Sequence, residues 1–255
     1  WLIVADRSGT PTAGSSVAVN TDPDTSDLRG RWLGLRASGE WRDLAANPAS
    51  RLSYWADAVQ LRGRETVTTF SNNTAGPSNT RRLRSWALDT GATFTLGAAW
   101  RPSLTVAYAR GSGGEDSATL DANFRQTGLQ ENKARLAGVK RLRRYGELLQ
   151  PDLSNLAITT LGSGIRFLGN SSAELVLHQY RQVVPATAVA AARLSVDPLG
   201  QHRRLGRELD LVIALREWSW LELTLRWSRF EPGPAYAADR RDAANALELG
   251  ASLNF

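Results

Sequence analysis

The sequence predicts an all-β chain, an antiparallel transmembrane β-barrel of the outer-membrane type. It forms a single domain over residues 1–255, with about ten strands. Three observations predict it. Several segments alternate apolar and polar residues over about the length a strand needs to cross a bilayer. Short and long connections take turns along the chain. One face of the alternating segments is Leu, Ala, Phe, Trp and Tyr, and the other is Arg, Glu, Asp, Thr, Ser and Gly.

Taken in chain order, Leu33, Leu35 and Ala37 alternate with Gly34, Arg36 and Ser38. Leu52, Tyr54, Ala56 and Ala58 alternate with Ser53, Trp55, Asp57 and Val59, and Asn47-Pro-Ala-Ser50 separates the pair. Trp86, Leu88, Ala92, Phe94 and Leu96 face away from Asp89, Gly91, Thr93 and Thr95. Leu104, Val106 and Tyr108 face away from Thr105 and Ala107, after a turn at Arg101-Pro102. Ile165 and Phe167 oppose Gly164 and Arg166. A tight turn at Asn170-Ser-Ser172 leads to Ala173, Leu175 and Leu177, opposite Glu174, Val176 and His178.

Leu209, Leu211, Ile213 and Leu215 alternate with Glu208, Asp210, Val212, Ala214 and Arg216. The short link Glu217-Trp-Ser-Trp220 joins them to Leu221, Leu223, Leu225 and Trp227, which alternate with Glu222, Thr224, Arg226 and Ser228. Leu247, Leu249, Ala251, Leu253 and Phe255 share a last face, and the closing Phe255 resembles the assembly signal of bacterial outer-membrane proteins.

Short turns are expected near 42–50, 98–102, 169–172 and 217–220. Long polar loops are expected near 7–28, 66–80, 111–150, 184–204 and 231–243. Tight turns on one side and long loops on the other are the habit of outer-membrane barrels. Trp41, Trp100, Trp218 and Trp220 cluster at strand ends, where interfacial aromatic girdles stand. The pattern leaves open which face points inward.

Composition narrows the function. There is no Cys, which removes disulfides, zinc ribbons and thiol chemistry. Mean hydropathy is −0.31, and no window approaches the roughly 18 apolar residues of a membrane helix. A barrel strand needs only every second residue apolar, so this does not argue against a membrane. Trp1-Leu-Ile-Val opens the chain without an initiator Met or a leader pattern, and an internal fragment is expected. Lys and Arg total 31 against 25 for Asp and Glu, and only Lys133 and Lys140 are lysines. Such an arginine excess points to an anionic partner.

Lys140-Arg-Leu-Arg-Arg144 is a basic run within the longest loop. On charge alone, a solvated loop or an unspecific nucleic-acid patch explains it. No aromatic RNA-binding run, phosphate loop or zinc spacing accompanies it.

Several stretches together resemble the alginate export family of outer-membrane porins. They are Phe124-Arg-Gln-Thr-Gly-Leu-Gln130, Tyr145-Gly-Glu147 with its basic lead-in, and Leu153-Ser-Asn-Leu156. Downstream stand Gly206-Arg-Glu-Leu-Asp-Leu211 and Arg226 through Phe230-Glu-Pro-Gly-Pro-Ala-Tyr236. Upstream stand Tyr54-Trp-Ala-Asp57 and Leu61-Arg-Gly63. The resemblance implies an 18-stranded antiparallel barrel of about twice this length, of which this chain is the C-terminal half or so. It implies export of an anionic, alginate-like polyuronate through an arginine-rich lumen.

It also implies the site. Three constriction positions fall on Lys133, Arg141 and Arg226, with Lys133 standing where the family has arginine and Thr224 at a further basic position. Arg125, Arg144 and Arg207 match the motifs. Arg36 and Arg166 share the polar faces without motif support, and Asp57 is either a lumen acid that orients an arginine or gates the pore, or one half of a buried salt bridge between strands. Arg226 either binds substrate or pairs with Glu222, Asp210 or Glu248.

The expected partners are the polymer, outer-membrane lipid and periplasmic export-complex proteins, with no nucleic acid and a monomeric barrel. No cofactor or metal is expected, and neither His178 nor His202 reads as a ligand. The rivals are a general or small-anion porin, an enzyme within a barrel, and a soluble sandwich that binds nucleic acid. No Ser-His-Asp grouping supports the enzyme.

Overall fold

In a computed structural model, the structure describes residues 2–5, 12–16, 26–44, 49–114, 117–127 and 132–253. Five strands come first: β1 (Leu2–Ala5), β2 (Ser26–Arg42), β3 (Arg51–Ser71), β4 (Thr74–Thr95) and β5 (Ser103–Gly111). Three two-residue strands follow: β6 (Leu120–Asp121), β7 (Lys133–Ala134) and β8 (Leu142–Arg143). Then come β9 (Leu156–Phe167), β10 (Ser171–Gln182), β11 (Arg204–Leu215), β12 (Leu221–Pro232) and β13 (Ala244–Leu253). β1–β5 and β9–β13 join in chain order, each antiparallel to the next. β6 adds in parallel to β4, and β7 pairs with β8 apart from the sheet. Among the described residues no ladder joins β1 to β13.

The registers settle which face is which. Phe94, Leu104, Ser163, Leu175, Leu211, Trp227 and Leu247 oppose one another directly across seven strands, β4, β5 and β9–β13. This row lies in the exposed face. Leu35 is 78% exposed, Leu249 74% and Leu104 52%, with Val106, Leu161 and Leu175 alike. The opposite face is polar and covered: Thr93, Thr105, Thr160, Glu174, His178, Glu208, Asp210 and Ser228 are all buried there. A soluble barrel would place its leucines inside. Leucine outward and carboxylate inward is the polarity a wall in lipid requires, because only the inner side offers polar partners.

Four connections lie at one end of the sheet, 43–50, 96–102, 168–170 and 216–220, while the two-residue turn at Asn72-Asn73 lies at the other. The long connections 112–155, 183–203 and 233–243 lie at the other. Trp41, Trp100, Trp218 and Trp220 are exposed at the short-turn end. Glu217 ties two of those turns together. Its carboxylate accepts from the Gly169 and Asn170 amides at 3.0 and 2.8 Å and from the Ser171 hydroxyl. These donors, the Ser171 hydroxyl foremost, hold its pKa below the usual 4.5.

Two expected loops differ from the structure. Residues 66–80 are not a loop: β3 and β4 stay paired out to Ser71 and Thr74. Asn72 and Asn73 close the hairpin at φ 49° and 60°, the left-handed pair that a two-residue turn needs. Their strands are lined by hydroxyls, with Thr66 on Thr80 at 2.9 Å and Thr68 on Ser78 at 2.8 Å. Threonine favours strands, but this stretch is polar on both faces and so lacks the apolar alternation that marks a strand. The expected 111–150 loop also differs: Gly111 ends β5, Leu120 and Asp121 pair with β4, and residues 122–127 and 132–150 fold inward, as described below. Most of the expected 7–28 loop lies outside the described residues, as do Trp1 and the closing Phe255, while residues 26–28 belong to β2.

Two outcomes follow. Leu175→Arg places a charge in the middle of the outward apolar row. It should cost about 2–4 kcal/mol in reversible unfolding from a bilayer, and no loss would refute the outward assignment. The Glu217 tie should contribute fully above pH 4.5 and vanish as pH falls through the carboxyl's lowered value. Amide exchange at Gly169 and Asn170, compared with Glu217→Gln, measures it. The two proteins should differ near neutral pH and converge in acid.

Candidate pore-lining site

Beyond β6, residues 122–127 and 132–155 turn back along the polar face of the sheet. They carry their own apolar side chains for the purpose. Phe124, Val139, Leu142, Tyr145, Leu148, Leu149 and Leu153 are buried, and most pack with Leu156, Ile158, Tyr180, Leu205 and Phe230 of the wall. Each large apolar side chain so buried contributes roughly 1.5–3 kcal/mol.

Wall carboxylates fix the segment's path. Glu174 accepts from the Ala137 and Gly138 amides at 3.2 and 2.9 Å. Ser172 accepts from the Val139 amide at 2.9 Å. Glu208 accepts from Leu148 and Leu149 at 2.6 and 2.9 Å, and from the Tyr180 hydroxyl at 3.1 Å. Asp210 receives the Glu147 amide at 3.3 Å. Two glycines permit the approach. A Cβ on Gly138 would meet the Glu174 carboxylate at 2.0 Å. One on Gly146, at φ +98°, would meet the Tyr180 hydroxyl at 2.2 Å.

The segment's arginines divide into two groups. Arg125 is locked: it reaches Glu65 at 2.6 Å and Asp121 at 2.7 Å, and its backbone carbonyl accepts from the Trp32 indole. Burial opposes its charge, but these carboxylates outweigh that and raise its pKa. Arg144 is also locked, on Asp89 at 3.0 Å and over the Trp55 ring at 5.0 Å. Asp89 further receives the Trp55 indole and the Tyr145 hydroxyl. Burial, then the Asp89 charge, drives the Tyr145 pKa well up.

The second group borders open space. A cleft of about 770 Å³ is lined by Lys133, Lys140, Arg141, Arg143, Arg193 and Arg226, with Glu147 and Glu248 as the acids among its described lining residues. A second cleft of about 600 Å³ shares Lys133 and Arg141 and adds Arg36, Asp57, Asp89 and Arg144. Lys133 and Arg141 therefore stand between the two. Arg226 bonds Glu248, its direct partner across β12 and β13, and lies 3.8 Å from Glu147.

Three comparisons bear on this arrangement. The family model described as Alginate export matches residues 14–249. The alginate production protein AlgE of Pseudomonas aeruginosa is 29% identical over 187 residues, 71% of this chain and 37% of its own. The AlgE of Pseudomonas syringae pv. tomato is 28% identical over 245 residues, 83% of this chain and 47% of its own.

The chain belongs to the alginate export family.

It spans less than half the length of the curated relatives it matches. Against the positions expected from the family, Lys133, Arg141 and Arg226 come together on one cleft. Arg36 and Arg144 share Asp57, at 3.3 and 3.8 Å, on the wall of the other. Asp57 therefore pairs across strands and also meets the segment. Arg125 is half-buried in its acid cluster, and neither cleft counts it among its lining residues. Arg166 donates to the Ala137 and Gly138 carbonyls and so props the segment. Arg207 stands in the outward row with Gln179 and Glu231, paired to Glu231 at 2.7 Å, and so is not on the inner wall. Arg226 takes Glu248 of its three expected acids. Glu222 pairs instead with Lys140 and Arg216, and Asp210 lies under the segment.

Sequence reasoning missed Lys140, Arg143, Arg193 and Glu147. Lys140 and Arg143 lie in the basic run, where a solvated loop looked sufficient. The signal against that was the interleaved Leu142, Tyr145, Leu148 and Leu149. Arg193 had no signal; its amide bonds the Leu149 carbonyl at 2.9 Å. His178 is buried against Thr160, and no group of side chains suited to a metal occurs among the described residues.

Glu208→Ala should unlatch the segment. Exchange of the Leu148 and Leu149 amides should quicken about tenfold or more, read by hydrogen exchange on the intact protein. Unchanged protection would show that the carboxylate does not hold the segment.

Proposed function

We propose that this chain forms part of the wall and the inward constriction of an outer-membrane barrel that exports an alginate-like polyuronate. The observation that carries the reading is the cleft whose described lining holds six cationic side chains and two carboxylates, on the polar side of a sheet whose other side is apolar. Family membership supplies the polymer class. Guanidinium and ammonium groups attract uronate carboxylates and lower the barrier for a polyanion entering a narrow path. Release matters as much as capture, so several moderate sites serve better than one tight one. Glu147 and Glu248 meet this need by holding Arg226 in place and sharing its charge. The short-turn end faces the periplasm, where export partners would dock, and the protein's role is transport rather than catalysis.

Single-channel recording on the intact barrel tests this. Polymannuronate should block the current, and Arg226→Ala should weaken block about tenfold, the value of one charge-assisted contact. A channel that passes small anions but ignores polyuronates would favour the small-anion porin instead.

A further inference from the structure

Six arginines stand on the outward face of β2, β3 and β4, away from the passage. Arg31, Arg62 and Arg84 oppose one another directly in one row. Arg29, Arg64 and Arg82 do so in the next. All six are exposed, and no side chain among them makes an ion pair or hydrogen bond with the described residues. Like charges directly opposite one another destabilise a sheet, so the array calls for an anion. Directly opposite side chains start about 5 Å apart and the rows about 7 Å apart, close enough for two guanidiniums to grip one phosphate.

The array borders the lipid-facing surface. The next rows toward the short-turn end are Leu33–Gln60–Trp86 and Leu35–Ala58–Leu88. Leu33, Leu35 and Trp86 of these are exposed, and Arg110 lies over the Trp86 ring at 5.5 Å. The nearest acid on the same strand, Glu65, points to the inner face and is taken by Arg81 and Arg125. Asp27 stands one row further toward the hairpin tip. Behind the array, Trp32, Leu61 and Leu83 are buried, so the backbone holds the rows fixed.

We propose that this array binds the phosphates of an anionic lipid headgroup, in the leaflet on the long-connection side. Its place just past the apolar band selects lipid over a soluble anion, and its outward aspect separates it from the exported polymer. The inference rests on the outward face meeting lipid, and not on what the pore carries.

Native mass spectrometry of the intact protein in detergent tests it, with lipid A and dephosphorylated lipid A as probes. Inorganic phosphate and polymannuronate serve as competitors. Lipid A should be retained and its dephosphorylated form should not. Arg62→Gln with Arg64→Gln should weaken retention about a hundredfold, two guanidiniums at about tenfold each, while polymannuronate block stays as it was. Heat-modifiable gel mobility checks that the variant folds. If it does not, Arg29→Gln with Arg82→Gln repeats the test on the neighbouring strands. Equal retention of the dephosphorylated lipid, or unchanged retention in a folded variant, would overturn the proposal. So would displacement of the lipid by dilute phosphate or by polymannuronate. Failure of the export reading would show separately, as lost polymer block with lipid retention intact.

Discussion

Everything on the inner side depends on the wall's carboxylates finding donors. Glu65, Glu174, Glu208 and Asp210 project from strands and are buried, and Asp89 is partly covered beside them, where an unmatched carboxylate is costly. The inward segment supplies the match. Backbone amides at Ala137, Gly138, Leu148 and Leu149 go to Glu174 and Glu208. Arg125 goes to Glu65 and Arg144 to Asp89. Leaving either side unmatched costs roughly 1–3 kcal/mol per group, which fastens the segment inward at several points.

That fastening gives the positive charges two different roles. Arg125, Arg144 and Arg166 are spent on holding the segment. Lys133, Arg141 and Arg143 are carried by β7, β8 and the bend between them, and they border the open clefts. Part of an arginine excess spread along the sequence is thus gathered around two clefts on one side of the sheet. The outward arginines of β2–β4 form a third group, set apart by nothing more than the period of two along a strand.

Much of the fold was legible because alternation survives wherever one face meets lipid. Leu209 to Leu215 and Leu221 to Trp227 show it plainly, and the structure pairs them as read. Legibility failed where that selection stops. The hairpin tip from Thr66 to Thr80 rises beyond the apolar band, so its strands are polar on both faces. The inward segment is a chain of bends whose apolar residues follow neither a helical nor a strand period, so its burial left no periodic mark. The site was half legible. The positions of Lys133, Arg141 and Arg226 followed from motifs, but their neighbours Arg143 and Arg193 come from the path of the backbone. Arg207 was misplaced because a motif match says nothing of which face a side chain takes.

The central claim is that the segment folds inward and lends its charge to the passage. The reversal potential of the intact channel under a salt gradient tests this most directly, in wild type and in Lys133→Gln/Arg141→Gln/Arg143→Gln. Anion selectivity that collapses in the triple variant is the predicted result. Cation selectivity in the wild type, or selectivity unmoved by the three substitutions, would contradict it.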